Sequence, residues 1–412
     1  MFLAKQYRLW LYGFIAINII AAAIMYSKNE YIGDLVGIEI SSMSTLWLSL
    51  ALIILTYLIL MIPTYNFLKK LKVRRLRFNK TEKVLGDRIG LIILPLQILF
   101  FIFNTYYGVN TAGNNNATAN TPLAIIWVVV PIDMIFVIYY AFYRDSKYFK
   151  INLLVWLLSN LLRGWAGVLL FVIFLEWCRL HRLNRIRLSK VLLGGALLAI
   201  FYPIISVFKW VVRSTAGKDI DFTAMISQAN ISLGSKDYLL LIQLGIEHII
   251  GRLQLTSILA EIINLKEVLQ LQFENSRILP FWLDGLHGII FERLFYGAKT
   301  TSLGVAFTEY ASFSWTFEVG DWNTNPSLPA WIFITPHLAI VYITYIFLLC
   351  FLSIVLLKMI GEKDSASDLL WLCWLVYLVP LWLGTFVGFI YAMLLFLIFK
   401  VAASALPYIK FR

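Results

Sequence analysis

Long runs of apolar residues, separated by short polar segments, organise this chain. A helix of roughly 17 to 25 predominantly apolar residues is long enough to cross the hydrocarbon of a bilayer. Ten runs approach this length, and we predict a membrane-spanning helix for each. The predicted spans are 9–26, 45–66, 89–107, 123–142, 149–162, 164–179, 190–210, 331–357, 368–383 and 385–400.

The segment 211–330 is the one long interruption of this series. It divides the chain into a first membrane part, 1–210, with spans one to seven, and a second, 331–412, with spans eight to ten. We predict that 211–330 forms a separate helical loop domain. The spans leave little room for polar groups, so this domain is where we expect most of the chemistry.

One stretch of the loop domain, 238–263, has the pattern of an amphipathic helix. On a helical wheel its apolar residues form one arc, and its polar residues occupy the other side. The apolar arc contains Leu239, Ile242, Ile246, Ile249 and Leu253, and the polar side contains Gln243, Glu247, His248, Arg252, Gln254 and Glu261. Such a helix lies in the membrane interface and does not cross the bilayer.

Composition agrees with a membrane protein. Apolar residues make up 60% of the chain, aromatic residues 16% and charged residues only 14%. A soluble globule could not keep that much apolar surface from water, whereas a bilayer can. The predicted fold is all-α: a polytopic helical membrane bundle of about ten spans with a large, late periplasmic loop domain.

Charge distribution predicts the topology. The net charge is +12, but the basic residues cluster in short loops between spans, which is typical of cytoplasmic segments and not of a nucleic-acid-binding patch. The loop domain is acidic, with twelve acidic and eight basic residues. We therefore expect a multi-pass protein of the bacterial inner membrane, with both termini cytoplasmic, the loop domain in the periplasm and no nucleic-acid partner.

Metal and disulfide chemistry have little support in the sequence. Cys178, Cys350 and Cys373 lie within or at the ends of apolar runs and form no CxxC pair. No paired-carboxylate motif stands near the arginines of the loop domain. The sequence therefore predicts no metal site and no cofactor.

An isolated arginine, Arg163, lies between two predicted spans and is followed by Gly164. A lone arginine at a helix centre would cost about 2.5 kcal/mol or more, so we predict a tight outer turn at this pair. Two interpretations are open for the guanidinium. It either reaches lipid phosphates at the membrane surface or faces an anionic ligand inside the bundle.

Charged and aromatic residues are dense in the second half of the loop domain. His248 and Arg252 are four residues apart and are neighbours on one helix face. The tryptophans suit either an interfacial belt or a platform for sugar rings. These tryptophans are Trp282, Trp315, Trp322 and Trp331. Three short motifs follow: R-I-x-x-x-W from Arg277, R-x10-G from Arg293 to Gly304, and G-x4-E-Y ending at Glu309 and Tyr310.

Together, the layout and these motifs resemble the Wzy family of oligosaccharide repeat-unit polymerases, which share a bundle architecture with O-antigen ligases. The likeness covers nearly the whole chain in layout and about thirty residues in motif. It implies a metal-independent, inverting-type glycosyltransferase that polymerises undecaprenyl-pyrophosphate-linked repeat units at the periplasmic face. Its partners would be the lipid-linked glycan donor and acceptor, membrane lipids and a chain-length regulator protein.

The resemblance also proposes roles for individual residues. Guanidinium and ammonium groups would bind the pyrophosphate and stabilise the charge of the leaving group. These are Arg163, Arg252, Arg277, Arg293 and Lys299. A general base would activate the attacking sugar hydroxyl. The candidates are Glu309, His287, His248 and Glu292, with the first two ranked almost equally. Alternatively, Glu309 has a structural role, in which it pairs with one of the arginines and holds it in place.

Three other functions compete with the polymerase. An O-antigen ligase would need the same arginine-lined outer site and would differ mainly in its acceptor. A lipid-linked oligosaccharide flippase or other transporter would place charges within long central spans and would have short loops. A noncatalytic scaffold is the last alternative.

Overall fold

The computed structural model describes residues 3–76, 78, 80–111, 121–165, 167–186, 189, 194, 238–291, 301–311 and 323–405. In these ranges the chain is helical, with no strand and two isolated bridges. The predicted span 190–210 lies almost entirely outside the described residues.

The first membrane part begins with three long helices and continues with four shorter ones. The long helices are α1 (Lys5–Lys28), α2 (Met43–Lys69, with a π turn at Leu60–Thr64) and α3 (Glu82–Tyr107). The shorter helices are α4 (Pro122–Val129), α5 (Ile132–Tyr143), α6 (Phe149–Leu162) and α7 (Val168–Arg182).

The loop domain and the second membrane part supply the remaining helices. In the loop domain they are α8 (Tyr238–Leu253), α9 (Thr256–Asn264), α10 (Lys266–Glu274), α11 (Leu286–Phe291) and α12 (Leu303–Ala311). Then come α13 (Ala330–Ile334), α14 (Ala339–Ile360), α15 (Asp364–Cys373), a π turn at Trp374–Leu378, and α16 (Leu383–Ala405).

Six described segments are long and apolar enough to cross a membrane, as expected for a multi-pass membrane protein. They are Lys5–Lys28, Met43–Lys69, Glu82–Tyr107, Leu123–Tyr143, Pro336–Ile360 and Leu383–Ala405. The larger total of about ten spans stays a prediction. α6, α7 and α15 are each shorter than a full membrane span. Of these, α6 is an apolar helix.

α5 and α15 lie at the centre of the buried core of the bundle. Nearly every residue of α5 is buried, and it packs against α3, α6, α15 and α16. α15 is likewise buried from Asp368 to Cys373. A helix that is apolar on all sides fits the centre of a bundle, where no face meets water or lipid.

The helix expected near 238–263 is divided in two by the structure. α8 keeps polar side chains exposed, whereas α9 is buried from Thr256 to Ile262 and packs against α2 and α13. The cause of the break is Asn18 in the middle of α1, whose side-chain oxygen accepts hydrogen bonds from the Leu255 amide (2.8 Å) and the Thr256 hydroxyl (3.1 Å). These bonds satisfy donors at the start of α9 and direct it into the bundle.

Candidate functional site

The turn after α6 is a Schellman motif that ends the helix at Arg163. The Trp165 amide donates to the Asn160 carbonyl at 2.8 Å, and the Gly164 amide donates to the Leu161 carbonyl at 2.9 Å. Gly164 has a φ of 78°, which glycine adopts without the steric cost of a side chain. The sequence predicted a tight turn at this pair, and the structure has one there.

The Arg163 side chain points into the bundle and is 3% exposed. Its Nη2 donates to Asp133 Oδ2 at 2.7 Å and to Asn160 Oδ1 at 3.2 Å, and its Nε donates to the Ser159 carbonyl at 3.1 Å. The guanidinium also lies 4.9 Å from the centre of the Phe100 ring. A guanidinium held in this way is not free to reach the lipid-facing surface.

A second arginine, Arg252 at the end of α8, is held by a carboxylate from a distant part of the chain. Its Nη1 donates to both oxygens of Asp34, at 2.8 and 2.9 Å. Asp34 lies between α1 and α2, where Gly33 touches Gly251: a Cβ added at Gly33 would lie 2.5 Å from the Gly251 carbonyl oxygen. This close backbone approach brings the two ionic groups together.

Both arginines line one cavity of about 680 Å³. This volume is within the range of roughly 300 to 1,000 Å³ that is typical of ligand sites. The cavity is bordered by the start of α5, the end of α6, the starts of α7 and α16, and parts of the loop domain. It therefore lies at one end of the bundle, which we call the cavity end.

Indoles and small polar groups make up much of the cavity wall. Trp165 and Trp382 are each 39% exposed, whereas Trp156 and Trp331 are buried. Amides and hydroxyls lie among them. They include Asn110, Asn160, Asn323, Ser302, Thr324 and Thr385. The wall thus combines flat aromatic faces, hydrogen-bonding groups and two fixed cations, a set that suits an amphipathic ligand carrying negative charge.

A carboxylate, Asp284, faces this cavity from the segment between α10 and α11. It receives a hydrogen bond from the Gly384 amide, at the start of α16, where helix N–H groups lack partners within the helix. Burial raises the pKa of Asp284 to about 6, while the Gly384 amide and His287 act in the opposite direction. At neutral pH the group is mainly ionised, yet it is a stronger base than an ordinary aspartate.

Gly304 places α12 against the same cavity. A Cβ at this position would lie 2.2 Å from Asn323 Oδ1 and 2.3 Å from the Thr324 carbonyl oxygen. The Thr324 hydroxyl also donates to the Gly304 carbonyl at 3.3 Å. The glycine shared by the R-x10-G and G-x4-E-Y motifs is therefore a close-packing position in the cavity wall.

The other described candidates do not line the cavity, although His287 lies near Asp284. Arg277 and Glu309 are both exposed and close enough to interact: burial raises the pKa of Glu309, and Arg277 lowers it. His287 is exposed, and its Nε2 lies 2.5 Å from the Trp282 carbonyl oxygen. His248 is exposed on α8, one turn before Arg252.

Glu292, Arg293 and Lys299 lie outside the described residues, as do Trp315 and Trp322. Their predicted roles stay predictions. Among the residues that are described, no group of three or more His, Cys, Asp or Glu side chains is arranged to hold a metal ion.

Sequence reasoning missed three aspartates that shape this site: Asp34, Asp133 and Asp284. Asp133 had a signal, because it is the one charged residue inside the predicted span 123–142, and an ionisable group within a span is a functional candidate by default. Asp34 and Asp284 had none, since each depends on a contact with a residue more than ninety positions away.

The fold and the cavity together define a helical membrane protein with a polar, aromatic-lined site at one end of its bundle. No protein-family model, curated protein or solved structure matches the chain. The function is therefore argued from the residues of the site.

Proposed function

We propose that this protein is a membrane glycosyltransferase that polymerises undecaprenyl-pyrophosphate-linked oligosaccharide repeat units. The observation that carries the proposal is the cavity at one end of a membrane bundle, lined by two held arginines, exposed indoles and the carboxylate of Asp284. Each of these groups matches one part of a lipid-linked sugar substrate.

The indoles match the sugars. Trp165 and Trp382 line the cavity and are each 39% exposed, and the Trp165 Nε1 donates to the Asn110 carbonyl at 3.0 Å, which fixes the orientation of that indole. Sugar rings have an apolar C–H face that packs on an aromatic ring, and hydroxyls that bond to surrounding amides and hydroxyls. Cavity amides such as Asn323 supply these polar partners.

The arginines match the pyrophosphate. Arg163 and Arg252 contribute planar guanidinium groups, which bind phosphate oxygens in pairs. Arg163 uses Nε and Nη2 for its bonds, and its Nη1 forms no hydrogen bond to the residues that the structure describes. Charge develops on the pyrophosphate as the glycan leaves, so the buried cation of Arg163 stabilises the transition state more than the bound substrate.

The position of the cavity favours chemistry over transport. Trp156 is the deepest of the α6 residues in its wall, seven residues before Arg163, which corresponds to about 10 Å along the helix. A transporter requires a route through the bundle, and the buried residues of α5 and α15 occupy the centre. A cavity of this depth can hold the sugars of the lipid-linked substrate, while its polyprenyl chain stays in the bilayer.

A deletion strain of the source bacterium tests the proposal. We expect surface glycan to carry a single repeat unit in place of a ladder of lengths, and we expect the ladder to return when the wild-type chain is supplied. Arg163→Ala should fail to restore the ladder. Glu267→Gln, an exposed carboxylate on α10 away from the cavity, is the matched control and should restore it fully.

Two other outcomes would overturn the proposal. Glycan acceptor without any repeat unit would assign the protein to the ligase or export step. An unchanged ladder in the deletion strain would exclude a role in this polymerisation. Equal protein levels in membranes, measured by immunoblot, are required for each comparison.

A further inference from the structure

We propose that Asp284 is the general base that deprotonates the attacking sugar hydroxyl. This inference rests on the proposed polymerase function and deepens it. In place of Glu309, His287 and His248, which do not line the cavity, it assigns that role to a residue that faces the same cavity as Arg163 and Arg252.

Three backbone features fix the Asp284 carboxylate. It directly follows a single 3-10 turn, Phe281–Leu283, whose first residue is fully buried. The next residue, Gly285, has a φ of 137°, which disfavours any other side chain. On the far side, a Cβ added at Gly384 would lie 2.6 Å from Asp284 Oδ1, so the carboxylate packs against the first turn of α16.

The other carboxylate in the described cavity wall is already engaged. Asp133 accepts from Arg163 Nη2 at 2.7 Å through Oδ2 and from Asn160 Nδ2 at 2.9 Å through Oδ1. Both oxygens of Asp133 are therefore hydrogen-bonded, and its charge is paired with the Arg163 cation. Asp284 forms no ion pair with Lys or Arg among the described residues and accepts a hydrogen bond from the Gly384 backbone amide.

The described candidate bases are less suited to this step. His287 does not line the cavity, and its Nε2 is engaged with the Trp282 carbonyl. Glu309 lies next to Arg277, outside the cavity wall. A base must come within hydrogen-bond reach of the hydroxyl whose proton it takes.

The reaction balances with Asp284 as the proton acceptor. The hydroxyl oxygen of the acceptor sugar forms a bond to the anomeric carbon of the growing glycan, and its proton moves to the Asp284 carboxylate. The bond between that carbon and the pyrophosphate oxygen breaks, and the electron pair stays on the pyrophosphate, beside the arginines. Asp284 then releases the proton to water or to the departing pyrophosphate.

The surroundings of Asp284 tune it for this role. The groups that face it are the Gly384 amide from α16, His287 from α11 and the Tyr345 phenol from α14. Burial raises the pKa of Asp284 to about 6 in spite of the amide and the histidine. A base with a pKa just below the working pH combines a high ionised fraction with strong proton affinity.

The test uses the purified full-length chain in nanodiscs. The probe is the undecaprenyl-pyrophosphate-linked repeat unit extracted from the deletion strain. Asp284→Asn should bind this lipid within about threefold of the wild type and polymerise it about a hundredfold or more slowly. Asp284→Glu keeps a carboxylate and should recover part of the rate, and added formate should raise the rate of Asp284→Ala. Glu267→Gln is the matched control.

The pH profile gives a second readout. The wild-type rate should rise as the pH is raised through about 6 and level off above it, because the base must be ionised. Asp284→Asn should lose this rise.

The results separate the two proposals. If the wild type forms no polymer, the proposed function fails. If it forms polymer and Asp284→Asn works within about tenfold of it, the general-base assignment fails alone. If Asp284→Asn does not fold, Asp284→Glu decides. A partial rate that still rises with pH, together with formate rescue of Asp284→Ala, supports the carboxylate, whereas total loss with normal lipid binding and no formate rescue rejects it.

Discussion

The two ends of the bundle use charged residues in different ways. At the cavity end, Arg163, Arg252 and Asp284 each have partners and also line the cavity. At the opposite end, formed by the start of α3 and the ends of α5, α7, α14 and α16, several charged residues bond to one another or to backbone carbonyls.

The network around Glu82 shows the opposite end in detail. Lys400 is fully buried, and its Nζ donates to Glu82 at 3.2 and 3.3 Å and to the Ile360 carbonyl at 2.9 Å. Arg75 and the Tyr143 hydroxyl donate to the same carboxylate, at 2.5 and 3.0 Å. A smaller cavity of about 230 Å³ lies at this end, but the ammonium of Lys358 in its wall already donates to two carbonyls.

Comparing the two ends indicates which charged residues are candidates for a functional role. Buried charges with a full set of partners hold helices in register, and breaking such a set costs stability. Charges that face a cavity are held in position and still have bonding capacity for a ligand. We therefore expect substitutions at the cavity end to lower activity. Substitutions at the opposite end should lower stability and leave activity nearly unchanged.

Arg163→Ala should have the largest effect on activity. The substitution removes a proposed ligand of the pyrophosphate and leaves Asp133 without its cation, so we expect at least a hundredfold loss of polymerisation and a destabilisation of about 3–5 kcal/mol. Arg163→Lys retains the charge and loses the planar geometry, so it should remain strongly impaired. Polymerisation is measured with the purified protein and the lipid-linked repeat unit, and stability by thermal unfolding.

A double variant separates the two consequences of losing Arg163. Replacing both members of the pair, as in Arg163→Leu with Asp133→Leu, removes the unpaired carboxylate and should recover much of the stability. It should recover none of the activity. An active double variant would mean that the pair is structural only.

Lys400→Met is the counterpart at the opposite end. It leaves Glu82 with fewer partners, so we expect a destabilisation similar to that of Arg163→Ala, of a few kcal/mol. Turnover per folded molecule should stay within about twofold of the wild type, because the ammonium lies far from the cavity wall. A large fall in turnover with normal folding would break the proposed division between the two ends.

Gly304→Ala should have the next largest effect. The new methyl would overlap Asn323 Oδ1 and the Thr324 carbonyl, so these residues must shift at a cost of about 1–3 kcal/mol and the cavity wall changes shape. We expect roughly a tenfold loss of polymerisation, since a small displacement of substrate-positioning groups is enough for this.

The matched control for Gly304→Ala is Gly388→Ala in α16. Both are glycines within helices, but a Cβ at Gly388 meets nothing within 4 Å. That variant should be stabilised slightly, by about 0.5–1 kcal/mol, because alanine favours a helix. Equal activities of the two variants would remove the packing argument for the G-x4-E-Y motif.

A smaller effect is expected from the exposed pair, Arg252 and Asp34. Their side chains are 39% and 15% exposed, so breaking the pair should cost under about 1 kcal/mol of stability. Arg252→Gln should raise KM more than it lowers kcat, by about fivefold to tenfold, if the arginine binds pyrophosphate equally before and during reaction.

Asp34→Asn tests whether Asp34 positions Arg252. It should give part of the same KM increase, and the double variant should add little to Arg252→Gln. Additive effects in steady-state kinetics would show that the two residues act independently.

The sequence predicted more of the fold than of the candidate site. Apolar runs predicted the helical membrane bundle, and the Arg163-Gly164 pair predicted a tight turn, because hydropathy and a positive φ at glycine are local properties. The break between α8 and α9 could not be predicted, since it depends on Asn18 in another helix. Asp284 was missed for the same reason: its environment is made by Gly384, one hundred positions later.

The smallest predicted effect is a change in the stability of Asp284→Asn. Whether this variant is more or less stable than the wild type is a direct test of the difference between the two ends. The pKa of Asp284 is near 3.8 in an unfolded chain and about 6 in the folded protein, so the folded state binds the proton more tightly. The free energy of unfolding therefore falls as the pH rises from about 4 to about 6 and stays reduced above that range. Asparagine keeps an oxygen for the Gly384 amide and carries no charge, so it avoids this penalty. We expect Asp284→Asn to raise the Tm at pH 7.5 by roughly 1–4 °C and to raise it less at pH 5, with no shift for Glu267→Gln. A lower Tm at pH 7.5 would show that the carboxylate is stabilised by its surroundings, as at the opposite end, and would remove the argument that this position gives up stability for chemistry.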